Sequence, residues 1–127
     1  MSNREAVLSP QAPKPIGPYS QAVKANGFVF LSGQVAFDPA TGNIVSGGIE
    51  QQTEQVLKNL SAVLSAAGSG WDKVVKTSVF LKNMSDFGAM NEVYGKFCKG
   101  TPPARTTVEA ARLPREVLVE IDLIALA

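Results

Sequence analysis

The sequence predicts an α+β fold in which one β-sheet carries two helices on one of its faces. Segments with strand-like and helical periodicity follow each other in the order strands, helix, strand, helix, strands. The chain has 127 residues, of which 45% are hydrophobic and 18% are charged. That size and composition suit a single domain over residues 1–127, which buries a core without disulfides or metals.

The first half of the chain contains a stiff segment, a strand and a helix. Four of the eight prolines lie within residues 9–20, so this segment is predicted to be irregular. The run FVFLSGQVAF over 28–37 is apolar on both alternating sides, which predicts a strand covered on both faces. Gly33 within it marks a bulge or a close backbone approach. Apolar residues recur at helical spacing over 49–67, and Gly68 follows where helices commonly end.

The second half contains a helix between strands. The β-branched residues over 73–82 predict a strand. Ser85 is expected to cap a second helix that runs to about Cys98. The apolar face of this helix consists of Phe87, Met90, Tyr94 and Phe97. Residues 105–110 and 117–126 predict two further strands.

The last predicted strand has two distinct sides. One side carries Val119, Ile121, Leu123 and Ala125, and the other carries Leu118, Glu120, Asp122, Ile124 and Leu126. The sheet face away from the helices is also partly apolar, through Phe28, Phe30, Leu118 and Ile124. A single sheet with one bare apolar face is unstable alone, so we expect oligomers that cover this face.

Composition excludes several classes of function. The formal net charge of +1 gives no electrostatic footprint for nucleic acid or an anionic membrane, although a local basic patch stays possible. The chain has no histidine, which removes Ser-His-Asp catalysis, the zinc deaminases and histidine-based ribonuclease chemistry. With one cysteine, an internal disulfide is impossible and a zinc site within one chain is nearly excluded.

The same features predict where the protein resides. A single cysteine fits a reducing compartment. The N-terminus lacks the apolar region of a secretory signal and is a poor transit peptide, and no apolar run approaches the ~20 residues that cross a bilayer. We therefore expect a cytoplasmic protein with no membrane partner, and a mitochondrial or nuclear pool stays open.

Arg105 is the first candidate for chemistry. The prolines 102 and 103 fix the backbone before it, and it begins a β-branched segment. A guanidinium suits bidentate capture of a carboxylate or phosphate. The alternative is a surface arginine that pairs with a nearby acid, which is the fate of most arginines.

Glu120 and Asn91 each allow two interpretations. Glu120 lies in the most apolar strand, where it either points to solvent or is partly buried with a raised pKa and can act as a base. Asn91 shares the apolar face of the second helix, where it either satisfies the core or a cap, or reaches into a cleft.

Three further residues complete the candidate site. Tyr19 is either a packed aromatic with a solvated hydroxyl or part of a pocket. Ser32 and Gly33 would offer a hydroxyl and a backbone N–H to an oxyanion, which is a weak signal in sequence alone. Cys98 ends an amphipathic helix, where a small buried hydrophobe is favoured over a reactive thiol.

Four motifs, spread over essentially the whole chain, carry a family resemblance. They are GPYSQAV over 17–23, FLSGQ over 30–34, the pair Asn91 and Tyr94, and PPARTTVEAARLPREVLVEI over 102–121. The chain resembles the Rid (YjgF-like) family, whose signature form P-A-R-[ST]-x-V…L-P…V-E-I matches the last motif. The resemblance implies a chorismate-mutase-like α+β fold and a homotrimer with clefts between subunits.

The resemblance also implies an activity without metal or organic cofactor. This is hydrolysis of 2-aminoacrylate and related imines, such as 2-iminobutanoate and 2-iminopropanoate, to 2-keto acids and ammonia. Arg105 would grip the substrate carboxylate and Glu120 would activate the attacking water. The pocket would be lined by Tyr19, Ser32, Gly33 and Asn91. Thr107 occupies a position that is cysteine in many members; its hydroxyl can donate a hydrogen bond, but it cannot be a thiolate nucleophile.

Two other functions stay open at this point. An endoribonuclease that inhibits translation is also described for the family, and Arg105 would suit phosphate. The near-neutral charge and the lack of interleaved aromatic and basic residues argue against nucleic acid as a partner. A non-catalytic small-molecule-binding or chaperone-like module is the third interpretation. The presence of both Arg105 and Glu120 favours catalysis, because carboxylate binding needs only the arginine.

Overall fold

The computed structural model describes residues 3–127 and contains one six-stranded sheet with two helices on one face. Its elements are β1 (Glu5–Val7), β2 (Ala22–Ala25), β3 (Phe28–Gln34), α1 (Ile49–Ala66), β4 (Val74–Leu81), α2 (Phe87–Phe97), β5 (Ala104–Glu109) and β6 (Val119–Leu126). The strand order is β1-β2-β3-β6-β4-β5. Only β4 and β5 pair in parallel, and the other neighbours are antiparallel. The predicted α+β class is confirmed.

The core lies between the sheet and the helices. On β6 the side chains of Val119, Ile121, Leu123 and Ala125 are at most 2% exposed. Facing them, α1 contributes Val56, Leu57, Leu60 and Val63, each with 0% exposure. Burying each of the larger side chains stabilises the fold by about 1.5–3 kcal/mol relative to exposure. The alternation predicted for the last strand and the helical period predicted for 49–67 are confirmed.

The structure confirms the predicted end of α1 and corrects the predicted start of α2. Helix α1 ends at Ala66, with Ala67 as its C-cap. Gly68 follows with the left-handed φ of +77° that is expected after a helix. Helix α2 begins at Phe87, after a 3₁₀ turn over Met84–Asp86, so the prediction that Ser85 caps it is wrong. The Glu109 carboxylate of β5 accepts a hydrogen bond of 2.8 Å from the Met84 N–H, which stabilises that turn instead.

The strand predicted over 28–37 is shorter than expected. Strand β3 ends at Gln34, and its pairing with β6 is irregular between Leu31 and Gln34, so the predicted bulge at Gly33 is confirmed. Phe30 is 44% exposed, so only one face of β3 is covered within a single chain. The sheet face away from the helices, called the open face below, is therefore as bare as the sequence predicts.

No described helix has both the length and the apolar character needed to cross a membrane, within residues 3–127.

Candidate active site

The predicted site residues fall into two groups on opposite faces of the sheet. Arg105 of β5 lies opposite Thr77 of β4, which lies opposite Leu123 of β6. These three side chains therefore point toward the helix-covered face. Glu120 lies three residues from Leu123 on the same strand and points to the open face. Within the described chain, Arg105 and Glu120 share neither a hydrogen bond nor an ion pair.

Arg105 is held by three side chains of α2. Its Nη1 donates a hydrogen bond of 2.8 Å to Asn91 Oδ1. Its guanidinium carbon lies 4.8 Å from the centroid of the Tyr94 ring and 5.3 Å from that of Phe87, within the range of cation–π attraction. Among residues 3–127, no carboxylate forms an ion pair with it. The interpretation as a surface arginine paired with an acid is therefore wrong.

The contact with Arg105 shows that Asn91 does not serve the core or a cap, and its reach into a cleft stays a prediction. Asn91 is half-buried, and its amide oxygen orients a guanidinium instead of satisfying the core. Phe87, predicted to belong to the apolar face of α2, is 37% exposed and contacts the same guanidinium. Val93, which the predicted face omitted, is buried in its place.

The groups around Arg105 are neutral. The hydroxyl of Tyr94 and that of Thr77 form a buried hydrogen bond of 2.8 Å. Burial raises the pKa of Tyr94 to about 12, so its hydroxyl stays protonated. Cys98 packs against the core as predicted, and burial raises the pKa of its thiol, so it carries no charge at neutral pH. The guanidinium thus keeps an uncompensated positive charge.

Thr107 lies on the same face as Arg105, two residues along β5. It is opposite Val79 of β4 and is half-buried. Its hydroxyl oxygen is buried and has no hydrogen-bond partner in the part of the chain that the structure describes. Since buried hydroxyls are almost always hydrogen-bonded, a hydroxyl without a partner at this position is unusual.

The second group surrounds a cavity on the open face, called the Glu120 cavity. It has a volume of about 390 Å³ and is lined by Ile16, Tyr19, Ser32, Gly33, Val35, Phe37, Pro114 and Glu120. Glu120 is the one charged side chain in that lining. Burial, and secondly the like charge of Asp122, raise its pKa. Glu120 thus combines the two interpretations left open, because it points away from the helices and is still half-buried.

Gly33 makes room for the Glu120 carboxylate. A Cβ atom at position 33 would overlap Glu120 Oε2, so the carboxylate lies directly against the backbone of residue 33. The close approach predicted for Gly33 is confirmed. Any larger residue here would displace the carboxylate from its present position.

Ser32 has a different role from the one expected. Its hydroxyl donates to the Ser20 carbonyl at 2.6 Å, and its N–H donates to the Gln21 carbonyl at 2.9 Å. For the Gly33 N–H, donation to an oxyanion stays a prediction. The prediction that the Ser32 hydroxyl is free to donate to an oxyanion is wrong, because both Ser32 groups bond to backbone carbonyls. They fasten the segment that contains Tyr19, which is 49% exposed, along the wall of the Glu120 cavity.

Gln21 is a supporting residue that sequence reasoning missed. It is 1% exposed, and its Oε1 accepts a hydrogen bond of 2.6 Å from the Ser9 N–H. Its Nε2 donates to the Pro13 carbonyl at 2.9 Å. These bonds hold the proline-rich segment over the sheet. Gln21 lies within the GPYSQAV motif, which could have drawn attention to it. Nothing in a single sequence, however, indicates that a glutamine is buried.

Comparisons with known proteins identify the family to which the chain belongs. The model of the family described as Endoribonuclease L-PSP matches residues 9–127. A RutC family protein of Synechocystis is 57% identical over 121 residues, covering 94% of this chain and 93% of its own. The 2-iminobutanoate/2-iminopropanoate deaminase of Mus musculus is 46% identical over 122 residues, covering 96% and 90%.

The fold also matches that of a solved structure. A protein of unknown function of the conserved Rid family from Yersinia pestis superposes with a TM-score of 0.95 at 46% identity, covering 98% of this chain and 99% of its own. The resemblance carried by the four sequence motifs is thereby confirmed, and this chain belongs to the Rid family, the family whose model is described as Endoribonuclease L-PSP.

Proposed function

We propose that this protein hydrolyses 2-imino acids, such as 2-iminobutanoate and the 2-iminopropanoate that forms from 2-aminoacrylate by tautomerisation, to 2-keto acids and ammonia. The observation that carries the proposal is the Arg105 guanidinium, which is held by neutral groups and has no described carboxylate as an ion-pair partner. A site of this kind binds a small carboxylate. The name of the mouse relative, an imino acid deaminase, supports this substrate class.

Arg105 and Thr107 supply the binding step. A guanidinium has five N–H donors, and the described contacts of Arg105 use one of them, on Asn91. The remaining donors can grip both oxygens of a substrate carboxylate. The unpartnered Thr107 hydroxyl can donate a further hydrogen bond to the same anion. Fixing the substrate in this way lowers the entropic part of the barrier.

Glu120 supplies the proton transfers. Water attacks C2 of the protonated imine, and the Glu120 carboxylate takes a proton from that water as the C–O bond forms. The product is a carbinolamine. Its nitrogen then receives a proton and leaves as ammonia, while the hydroxyl oxygen loses its proton and becomes the keto oxygen. The balance is one protonated imine and one water to one keto acid, one ammonia and one proton, which returns to the solvent.

The raised pKa of Glu120 suits both the uptake of a proton from water and its donation to the leaving nitrogen. An acid–base group works best when its pKa approaches the working pH, and burial moves the pKa of Glu120 toward neutrality. The apolar walls of the Glu120 cavity, which include Ile16, Val35 and Phe37, keep that environment. They also fit a substrate with a small alkyl side chain.

A complete site requires a second copy of the chain. Arg105 and Glu120 point to opposite faces of one sheet, and a substrate of this size cannot span the sheet. The open face also exposes apolar side chains, with Tyr19 at 49%, Phe30 at 44% and Leu126 at 45%. We therefore propose a homotrimer in which the β5 edge of one copy covers the Glu120 cavity of the next, so that each cleft combines Arg105 with the neighbour's Glu120.

The function is tested with imine that is made in the assay. A serine or threonine dehydratase generates 2-aminoacrylate, and the decay of the imine is followed with the wild-type protein, with Arg105→Ala, and with no addition. The proposal expects accelerated decay that Arg105→Ala abolishes. Decay at the spontaneous rate with wild-type protein, or an unaffected Arg105→Ala variant, would overturn it.

The family description supports a second candidate, an endoribonuclease. The free donors of Arg105 suit a phosphate as well as a carboxylate. Incubation of purified protein with RNA separates the two candidates, because cleavage that Arg105→Ala and Glu120→Gln both remove would support the nuclease. Binding of 2-oxobutanoate without imine hydrolysis or RNA cleavage would indicate a non-catalytic binding module.

A further inference from the structure

We propose that Tyr94 is a positioning residue for Arg105. Its ring, anchored by the hydrogen bond between its hydroxyl and Thr77, holds the guanidinium in the orientation that receives a carboxylate before any ligand arrives. The inference rests on the proposed function in taking a carboxylate as the ligand. The contacts that carry it do not depend on imine chemistry.

Three contacts form a closed loop between neighbouring elements. Arg105 and Thr77 lie directly opposite each other on β5 and β4. The Thr77 hydroxyl is 2.8 Å from the Tyr94 hydroxyl, and this hydrogen bond is buried. The face of the Tyr94 ring then lies 4.8 Å from the Arg105 guanidinium carbon. The strand that carries Arg105 and the strand beside it therefore fix the position of the ring.

Helix α2 presents this arrangement from one face. Phe87, Asn91 and Tyr94 lie at i, i+4 and i+7, so they share one side of the helix. All three contact the same guanidinium, two with ring faces and one with an amide oxygen. A long arginine side chain ordinarily loses much rotamer freedom on binding a ligand. Here the aromatic faces restrict that freedom in advance.

The chemistry of Tyr94 suits positioning better than ion pairing. A carboxylate in its place would neutralise the guanidinium and compete with the ligand. The ring instead attracts the cation through its face and keeps the positive charge available. Because burial raises the pKa of Tyr94 to about 12, no phenolate competes for Arg105 at neutral pH.

The test separates the ring from its anchor and uses 2-oxobutanoate as the probe ligand. Tyr94→Leu removes the ring face, and Tyr94→Phe and Thr77→Val keep the ring but remove the hydrogen bond. From the usual strength of cation–π contacts, Tyr94→Leu should raise the dissociation constant of 2-oxobutanoate roughly 10-fold. Loss of one neutral hydrogen bond predicts a rise of about 2- to 5-fold for the other two variants. KM should rise by similar factors, with smaller changes in kcat.

A second measurement reports on Arg105 itself. The Nε–H signal of Arg105 in ¹⁵N NMR should show a restricted side chain in the ligand-free wild-type protein and a mobile one in Tyr94→Leu. Phe97→Leu is the matched control, because Phe97 lies on α2 and packs on Trp71 with ring centroids 6.1 Å apart, away from Arg105. This control should lower the melting temperature and leave both the Arg105 signal and the affinity unchanged.

Two results would overturn the inference. One is a Tyr94→Leu variant that keeps a restricted Arg105 and wild-type affinity. The other is a loss of affinity in Phe97→Leu equal to that in Tyr94→Leu, which would show a general effect of α2 stability. A wild-type protein that holds Arg105 rigid and binds 2-oxobutanoate but does not hydrolyse imines would contradict the proposed function and support the positioning role.

Discussion

Arg105 and Glu120 stand on opposite faces of one sheet, although the proposed reaction needs both at one substrate. Arg105 shares its face with Thr77 and Leu123, which the helices cover, and Glu120 lies against Gly33 on the open face. The Arg105 guanidinium has no ion-pair partner among the described residues, and Glu120 is a half-buried acid. The consequences can be tested on each group separately and then on the two together.

The contact between Gly33 and Glu120 predicts a strong effect of one methyl group. In Gly33→Ala the new Cβ would occupy the position of Glu120 Oε2, so the carboxylate must move. We expect kcat for imine hydrolysis to fall about 10- to 100-fold, since misplacing a group by about 1 Å has this size of effect. The melting temperature should change little, because the displaced atoms belong to the end of a flexible side chain.

Gly95→Ala is the matched control for that substitution. Gly95 lies in α2, and a Cβ added there meets no atom within 4 Å. This variant should retain wild-type activity and gain about 0.5–1 kcal/mol of stability, as alanine is favoured over glycine inside helices. Full activity in Gly33→Ala would contradict the placement of Glu120 at the reacting atoms.

The raised pKa of Glu120 predicts the pH dependence of the reaction. The carboxylate is the form that takes a proton from water, so kcat/KM should fall as pH decreases through the pKa of Glu120. Because burial and Asp122 raise that pKa, this acidic limb should lie at a higher pH than for an ordinary glutamate. Asp122→Asn removes the like charge, lowers the pKa and should move the limb to lower pH.

Asp72→Asn provides the control for charge removal, since Asp72 is exposed on a turn before β4. Its pH profile of kcat/KM should match that of the wild type. An acidic limb that stays in place in Asp122→Asn would show that another group controls it.

The unpartnered hydroxyl of Thr107 predicts opposite effects on stability and binding. Thr107→Val has nearly the same shape but no hydroxyl. Removing a buried polar group that lacks a partner should stabilise the fold by about 1 kcal/mol and raise the melting temperature by a few degrees. The affinity for 2-oxobutanoate should fall by about 3- to 10-fold if the hydroxyl donates to the ligand.

Thr106→Val is the comparison for Thr107→Val, because Thr106 is exposed on the other face and accepts a hydrogen bond from Lys76 Nζ at 2.7 Å. It should leave the affinity for 2-oxobutanoate unchanged. A Thr107→Val variant that loses stability and keeps its affinity would show that the hydroxyl serves the fold.

The fold was predictable where a long pattern carried it. Helix α1 and the alternation of β6 are set by many apolar residues at constant spacing, so their types and faces were correct. Strands β1 and β2, with three and four residues, were missed because such short runs carry no periodic signal. Ser85 failed as a cap because Glu109, distant in sequence, stabilises the turn before α2.

The site was predictable in its residue types and much less in its contacts. The Pro-Pro-Ala-Arg run pointed to Arg105 as an anion receptor, and the apolar strand drew attention to Glu120. The contact of Arg105 with Asn91 and Tyr94 arises because β5 returns beside α2, and no local pattern reveals that neighbour. The burial of Glu120 likewise depends on Gly33 and on the segment that Gln21 fastens, both from the other end of the chain.

Co-expression of two inactive variants tests the central claim most directly. Arg105→Ala and Glu120→Gln chains each lack one half of the site, and we expect either alone to leave imine decay at the spontaneous rate. If each cleft joins Arg105 of one copy to Glu120 of the next, random mixing leaves about a quarter of the clefts intact. The mixed protein should therefore recover about a quarter of the wild-type rate of 2-keto acid formation. A mixture that stays inactive while forming mixed oligomers would contradict the account.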